Sequence, residues 1–527
     1  MRTFRRLLAG LTALALAGIP LPTSAAGRDA GGSRRAEARD IQGSAPSSRP
    51  RIAWRSSLSH PSDPSEKPAD QRPTSQATAP GSRAPQLISG FDGIGDIGEA
   101  TPSDTTGALG DSWYLTAVNV SWALFDRAGT PVLGPESLNS IDPSLAGAFS
   151  FDPKVVYDQY EDEFILVFLV FDESPRTSLI VISTIPNATA DDTSTWCTTF
   201  VGGDQLVGDG AQWSDYPGLG YTSDRVTITT NQFSFSDTFR YSQILSFEKS
   251  QLYDCSIPSP TFDVLAGTQT ANLDGSPAFT LQPAQTVGGP ETDQFLLSFE
   301  LAGKDSFLTI WRVREGTSGL IIKKGTIPTG GTKFAFFAAQ GGVPDVFKPD
   351  FWWDPGDVRL LNAFYDSDRN RLYAAHTVRK NFGPDIDFEG YVEAAARWYE
   401  VEPVDKVKAS SLLRKGLIGQ SEVEIGWPVV ATDASGNLFV TYNRASFTLD
   451  EFISAWIAEI PPDSTSPTEL LLAPGEAFVD VSSGPERWGD YSAIGRDPLD
   501  GDVVFAVNQF AASSNGFQQS IHTVRHI

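Results

Sequence analysis

Five aspartates, Asp104, Asp152, Asp215, Asp357 and Asp490, stand at the openings of segments that turn tightly and then run into short apolar strands. Carboxylates that converge, with main-chain carbonyls from neighbouring glycine-rich turns, suit a hard cation such as Ca2+. The competing reading is local, each carboxylate accepting hydrogen bonds from its own turn. No linear D-x-[DN]-x-[DN]-G loop occurs, so Ca2+ as a cofactor requires a fold that brings these residues to one place.

A second constellation is aromatic. "WSDYPGLG" (213–220) and "RWGDYSAIG" (487–495) are the most alike distant segments: Trp213, Asp215 and Tyr216 match Trp488, Asp490 and Tyr491, and "NQF" closes both units. Trp113, Trp352 and Trp353 enlarge this ligand-binding set. Rings exposed on one rim would stack on a sugar while Asp held its hydroxyls; rings packed between sheets would be core. Catalytic signatures are thin. Histidine occurs only at His60, His376, His522 and His526, and the chain has no H-E-x-x-H, G-x-S-x-G or phosphate-binding glycine loop. A carboxylate pair for glycoside hydrolysis stays open, because that chemistry needs only a spatial separation.

The elements that would position these residues recur. Seven segments, 104–126, 152–172, 215–233, 276–300, 357–378, 426–446 and 490–510, each open at or next to an Asp, Pro or Gly, pass a polar turn and enter a strand rich in Val, Phe and Tyr. The turns "TSDRV", "DSDRNRL", "DASGNL" and "PLDGDV" place Asp, Asn or Gly where a hairpin reverses. A four-stranded sheet cannot bury both faces alone, whereas a ring of them can, so the expected fold is all-β: a seven-bladed β-propeller over 86–527. The N-terminal "ISGFDGI" and C-terminal "QQSIHTVRHI" segments would close the ring. A different blade count or a pair of sandwiches are the alternatives. Helical patterning is confined to 405–416 and 448–460, and the latter also reads as a strand.

The segments 104–135, 152–169, 213–233 and 487–510 together resemble a family of bacterial secreted seven-bladed propeller proteins, mostly uncharacterised. The resemblance covers about 88–527 and is strongest in the first three blades and the last. It implies a propeller that is exported or surface-associated, and it assigns no reaction.

Composition bounds the partners. Residues 1–85 carry a net charge of +7 and the remainder −32, within a total of −25. Such an acidic body repels phosphate backbones, so no nucleic acid partner is expected. Residues 1–26 read as a signal peptide: Arg2, Arg5 and Arg6, then an apolar run from Leu7 to Leu21, then Ser24-Ala25-Ala26. Residues 27–85 read as a disordered low-complexity tether or propeptide in which Trp54 is the lone large aromatic. No transmembrane segment is expected in the mature chain, which should be a monomer, secreted, periplasmic or at the cell surface. The two cysteines, Cys197 and Cys255, would form a disulfide in that setting, with two buried thiols as the alternative. The leading functional reading is a binding or scaffold module for glycan, peptide or cell-surface protein ligands. The alternatives are a polysaccharide-degrading hydrolase or lyase using carboxylates at the propeller funnel, and an assembly or adhesion protein.

Overall fold

The computed structural model describes residues 34–37 and 85–527, apart from 97–100, 173–175, 208–211, 345–347, 349–350, 384–391, 481–484 and 514–515. The signal peptide expected at 1–26 and nearly all of the expected tether, Trp54 included, lie outside the described residues. Within them the chain is nearly all β, with one four-residue α-helix, Lys249–Leu252, and a few short 3-10 turns. No described helix is long and apolar enough to cross a membrane. The helical reading of 405–416 gives way to a 3-10 turn at Val407–Ala409 and a strand, Ser411–Ile418, whose exposure alternates along its length. The 448–460 segment is the strand Glu451–Ile460.

Each of the seven recurring segments contains the first hairpin of a four-stranded antiparallel array. The first strands of these arrays are Thr106–Leu109, Phe149–Asp158, Gln212–Tyr221, Gln282–Val287, Ala363–Asp366, Glu424–Thr432 and Ala493–Arg496. We refer to the arrays as the first to seventh sheets. In six of them the remaining strands follow in chain order. In the seventh, Val503–Ser513 and Gly516–Arg525 are completed by Gln86–Gly95, which pairs antiparallel with Gly516–Arg525. The first strands of the third, fourth and fifth sheets are further bridged in parallel, Tyr221 to Gln285 and Ala284–Val287 to Ala363–Asp366. This bridging does not run round into a closed sheet.

The expected turn chemistry closes the hairpins. Asn437 N–H donates to Asp433 Oδ1 (2.8 Å), Leu499 N–H to Asp497 Oδ1 (2.9 Å) and Thr222 Oγ1 to Asp224 Oδ1 (2.8 Å). Val, Ile and Phe at alternate positions then face neighbouring sheets. One apolar cluster joins the second sheet to the third, a second the third to the fourth, and a third the fourth to the fifth. The fifth, sixth and seventh share another, and Phe505, Val507 and Ile521 of the seventh pack with Ala108, Leu115 and Val155 of the first and second.

Cys197 and Cys255 form a disulfide with Cα atoms 5.3 Å apart. It ties the outermost strand of the second sheet, Cys197–Gly202, to the loop that precedes the outermost strand of the third, Thr261–Ala266. The bond closes a loop of 58 residues, for which the chain-entropy model gives about 4 kcal/mol of stabilisation. Replacing both cysteines by serine should lower the unfolding free energy by about 2–4 kcal/mol, read as a lower denaturant midpoint.

Candidate functional site

The first strands open through a shared backbone device. Asp104, Asp152, Tyr216, Thr280 and Trp427 all have positive φ, between 46° and 56°. This left-handed conformation is uncommon for side-chain-bearing residues and persists where the surroundings hold it. In the second, third and sixth sheets the next residue is proline (Pro153, Pro217, Pro428) and the strand pairing shifts register there, at Phe151/Lys154, Asp215/Gly218 and Gly426/Val429. Such bulges re-aim side chains. At four of the openings, the bulge-free Thr280 among them, the opening residue's N–H reaches the segment before it. Asp152 N–H donates to Asn119 Oδ1 (3.0 Å), Tyr216 N–H to Asp152 Oδ2 (3.2 Å), Thr280 N–H to Asn231 Oδ1 (2.9 Å) and Trp427 N–H to the Pro355 carbonyl (3.2 Å).

The five predicted aspartates are therefore not equivalent. Asp104 and Asp152 occupy the left-handed position itself, Asp215 and Asp490 precede an aromatic residue, and Asp357 accepts the N–H of Arg359 (2.7 Å) within its own turn. The turn-cap reading fits Asp357. It does not fit Asp104, whose Oδ2 accepts from Asn119 Nδ2 (2.8 Å), or Asp152, which serves the next sheet.

Asp104, Asp152, Asp215 and Asp490 do come together, and three cations lie among them. Lys154 stands two residues after Asp152, its Nζ 3.2 Å from the centroid of the Tyr491 ring. Arg359 pairs with Asp357 (2.7 Å) and lies 4.4 Å from the Tyr216 ring centroid. Arg487 pairs with Asp490 (2.8 Å). The twin segments meet: Tyr216 and Tyr491 pack edge to face at 5.7 Å, and Tyr216 Oη donates to the Asp490 carbonyl (2.8 Å). Asp104, Asp152, Lys154, Tyr216 and Tyr491 are buried, while Asp215, Asp357, Arg359, Arg487 and Asp490 are partly exposed.

Burial dominates the electrostatics. It pushes Asp104 up to about 8, with repulsion from Asp490 adding to it, and Asp152 well above the carboxylate range, with repulsion from Asp104 and Asp490. Asp215 rises for the same reason, through burial and then Asp152 and Asp490. Lys154 falls to about 7 through burial, against the pull of Asp104, Asp152 and Asp490. Ionising both Asp104 and Asp152 would set two buried negative charges against each other, so burial and that repulsion favour a proton on the pair.

The aromatic platform does not form. Trp213, Trp353 and Trp488 are buried in the core, because each indole fills space between sheets where its large apolar area is best removed from water. Trp213 Nε1 donates to Ser234 O (3.2 Å) and Trp353 Nε1 to Ala339 O (3.3 Å). Trp352 is half-buried in a two-stranded ribbon with Ala338–Ala339. Trp113 is half-buried at the far end of the first hairpin from Asp104, donating to Asn187 O (3.0 Å). Among the described residues no group of three or more His, Cys, Asp or Glu side chains is arranged to hold a metal ion. His376 is buried, lies 2.7 Å from Val358 O and 2.9 Å from Tyr399 Oη, and is held neutral, pushed down to about 3 by burial.

Sequence reasoning missed Lys154, Arg359, Arg487, Asn119 and Asn231. The asparagines had a signal, since "AVN", "TTN", "TYN" and "AVN" recur in or just after the second strands of four units. Lys154 had one too, as the lone cation in "FDPKVVYD".

No family model matches the chain, and no curated protein does. Solved structures resemble it distantly. A protein of unknown function from Dyadobacter fermentans is 11% identical over 71% of this chain and 94% of that one, with a TM-score of 0.40. The GH93 α-L-arabinofuranosidase of Fusarium graminearum is 9% identical over 83% and 98%, at 0.35. The Dos1 propeller is 8% identical over 84% and 95%, at 0.36.

The raised carboxyl pKa values set a sign for stability. Asp104 and Asp152 keep a proton in the native state that the unfolded chain releases near pH 4. Their contribution is thus present in full below about pH 4 and is lost as pH rises toward and through 8 for Asp104. Lys154 acts oppositely, but only above about pH 7, where the native state releases its proton first. Asp104→Asn should therefore gain stability relative to wild type as pH is raised from 5 to 7. Denaturant titrations at those pH values should show the difference growing with pH.

Proposed function

We propose that the seven sheets form a seven-bladed propeller, closed where Gln86–Gly95 joins the C-terminal strand, and that this domain acts outside the cytoplasm as a binding module. Closure is supported by apolar packing between every successive pair of sheets, including the seventh with the first. The disulfide supports an oxidising compartment. On this reading the left-handed openings face one mouth of the ring, where partly exposed Asp215, Asp357, Arg359, Arg487 and Asp490 present both signs of charge.

The observation that carries a binding role is the pair of buried polar atoms left without partners there, Asp104 Oδ1 and Tyr491 Oη. A buried polar group without a partner costs about 1–3 kcal/mol, so its site asks for water or a ligand group. A hydroxyl both donates and accepts, which matches a carboxyl oxygen beside a phenol. The ligand class we favour is a neutral, hydroxyl-rich glycan, since the acidic body disfavours polyanions. Ca2+ enters this reading only as a bridge between such hydroxyls and Asp215 or Asp490.

Two measurements test these statements. Removing residues 516–527 should abolish cooperative unfolding, and a truncated chain that melts as wild type would overturn closure. On a polysaccharide array run at several calcium levels, the protein should retain neutral glycans without releasing reducing ends. Asp490→Asn should weaken retention at least tenfold with an unchanged melting temperature. Equal retention by the variant, or none by wild type, would sink the site, and product release lost in a carboxylate variant would make the protein a hydrolase.

A further inference from the structure

Four-stranded sheets packed face to face leave one outer edge each, and an open edge invites foreign strands. Most edges here carry a guard of their own. Pro131 and Pro135 interrupt the first, Lys323 and Lys324 lie in the fourth, Arg414 and Lys415 in the fifth, and Glu469 in the sixth. The seventh, Gln86–Gly95, shifts register twice against its partner, and the second is tied by the disulfide. The third edge, "TFDVLA" (Thr261–Ala266), has no proline and pairs with Phe239–Glu248 without a register shift. Its single charge, Asp263, turns inward to Arg225 (2.7 Å). Among the described residues this unguarded edge is covered by a further strand. Residues Arg34–Glu37 lie along it antiparallel, Arg34 opposite Val264 and Glu37 opposite Thr261.

We propose that the outer edge of the third sheet is a strand-addition site whose resident occupant is the chain's own segment Arg34–Glu37, held in cis. Strand addition takes its affinity from main-chain hydrogen bonds, and a four-residue strand supplies few of them. Covalent attachment makes up the difference, since tethering turns a weak contact into an intramolecular one. Forty-eight residues separate Glu37 from Gln86, a contour of up to ~160 Å, so the chain's length permits the contact. Charge favours it as well, because residues 27–85, which remain after the expected cleavage, carry 10 basic and 6 acidic side chains, a net of +4, against −32 for residues 86–527. The expected cleavage after Ala26 leaves the segment on the mature chain. The contact shields the edge, and its shortness leaves it exchangeable.

The test uses the full mature chain carrying Glu37→Cys with Thr261→Cys, oxidised in dilute solution and mapped by mass spectrometry without reduction. A disulfide joining positions 37 and 261 within one chain is expected, at least tenfold more abundant than the bridge formed when Lys323→Cys replaces Thr261→Cys. A bridge between two chains would show that a second copy is the occupant and overturn the cis assignment. Equal yields, or none, would overturn the contact itself. As an independent readout, deleting residues 30–40 should speed amide exchange within 261–264, the residues it pairs with, at least tenfold while leaving exchange in the first strands unchanged. Unaltered exchange within 261–264 would also overturn it.

Discussion

The fold turns on a main-chain N–H that leaves its own sheet. At the opening of the second, third, fourth and sixth sheets a residue is held in the left-handed region, and its N–H reaches an acceptor contributed by the segment before it. Such a conformation is costly unless the environment fixes it. The bond supplies that fixation, so strain in one strand and registration between two sheets are a single interaction. Asn119 and Asn231 take part twice: each side chain accepts from the next opening residue through Oδ1 and donates through Nδ2, Asn119 to Asp104 and Asn231 to Thr280.

The same device explains the chemistry of the mouth. Residues forced into the left-handed region direct their side chains inward, and where the residue is Asp the result is a carboxyl in the interior. Asp104 and Asp152 tolerate this through raised pKa values that favour the protonated form and by taking hydrogen bonds from Asn119 and from Tyr216 N–H. Lys154 tolerates it by lying on Tyr491. Each group is driven toward its neutral form by burial, and the partly exposed Arg–Asp pairs around them carry the remaining charge.

How much of this was legible depended on the range of the interaction. Hairpin turns are local, and Asp433–Asn437 and Asp497–Leu499 were readable from four or five residues. The seven hairpins followed from repetition, and the likeness of 213–220 to 487–495 pointed to two segments whose tyrosines touch. Burial of Trp213, Trp353 and Trp488 was not legible, because an indole after a turn looks the same whether it faces solvent or the neighbouring sheet. Grouping of the aspartates was weighed against local turn caps and left open, and their buried environment was not legible. Lys154, Arg359 and Arg487 come from three different sheets or their connections, and no spacing along the chain announces them.

The pairing of Gln86 with Arg525 also has a temporal side. The first of these strands leaves the ribosome long before the last, at about 5–20 residues per second roughly 20–90 s earlier. Throughout that interval Gln86–Gly95 has no native partner in existence. Contacts of such sequence separation form late and slowly, so the strand must stay harmless while it waits. Its three glycines and two register breaks make it a poor template for premature pairing, and these irregularities suit a segment that is synthesised first and docked last.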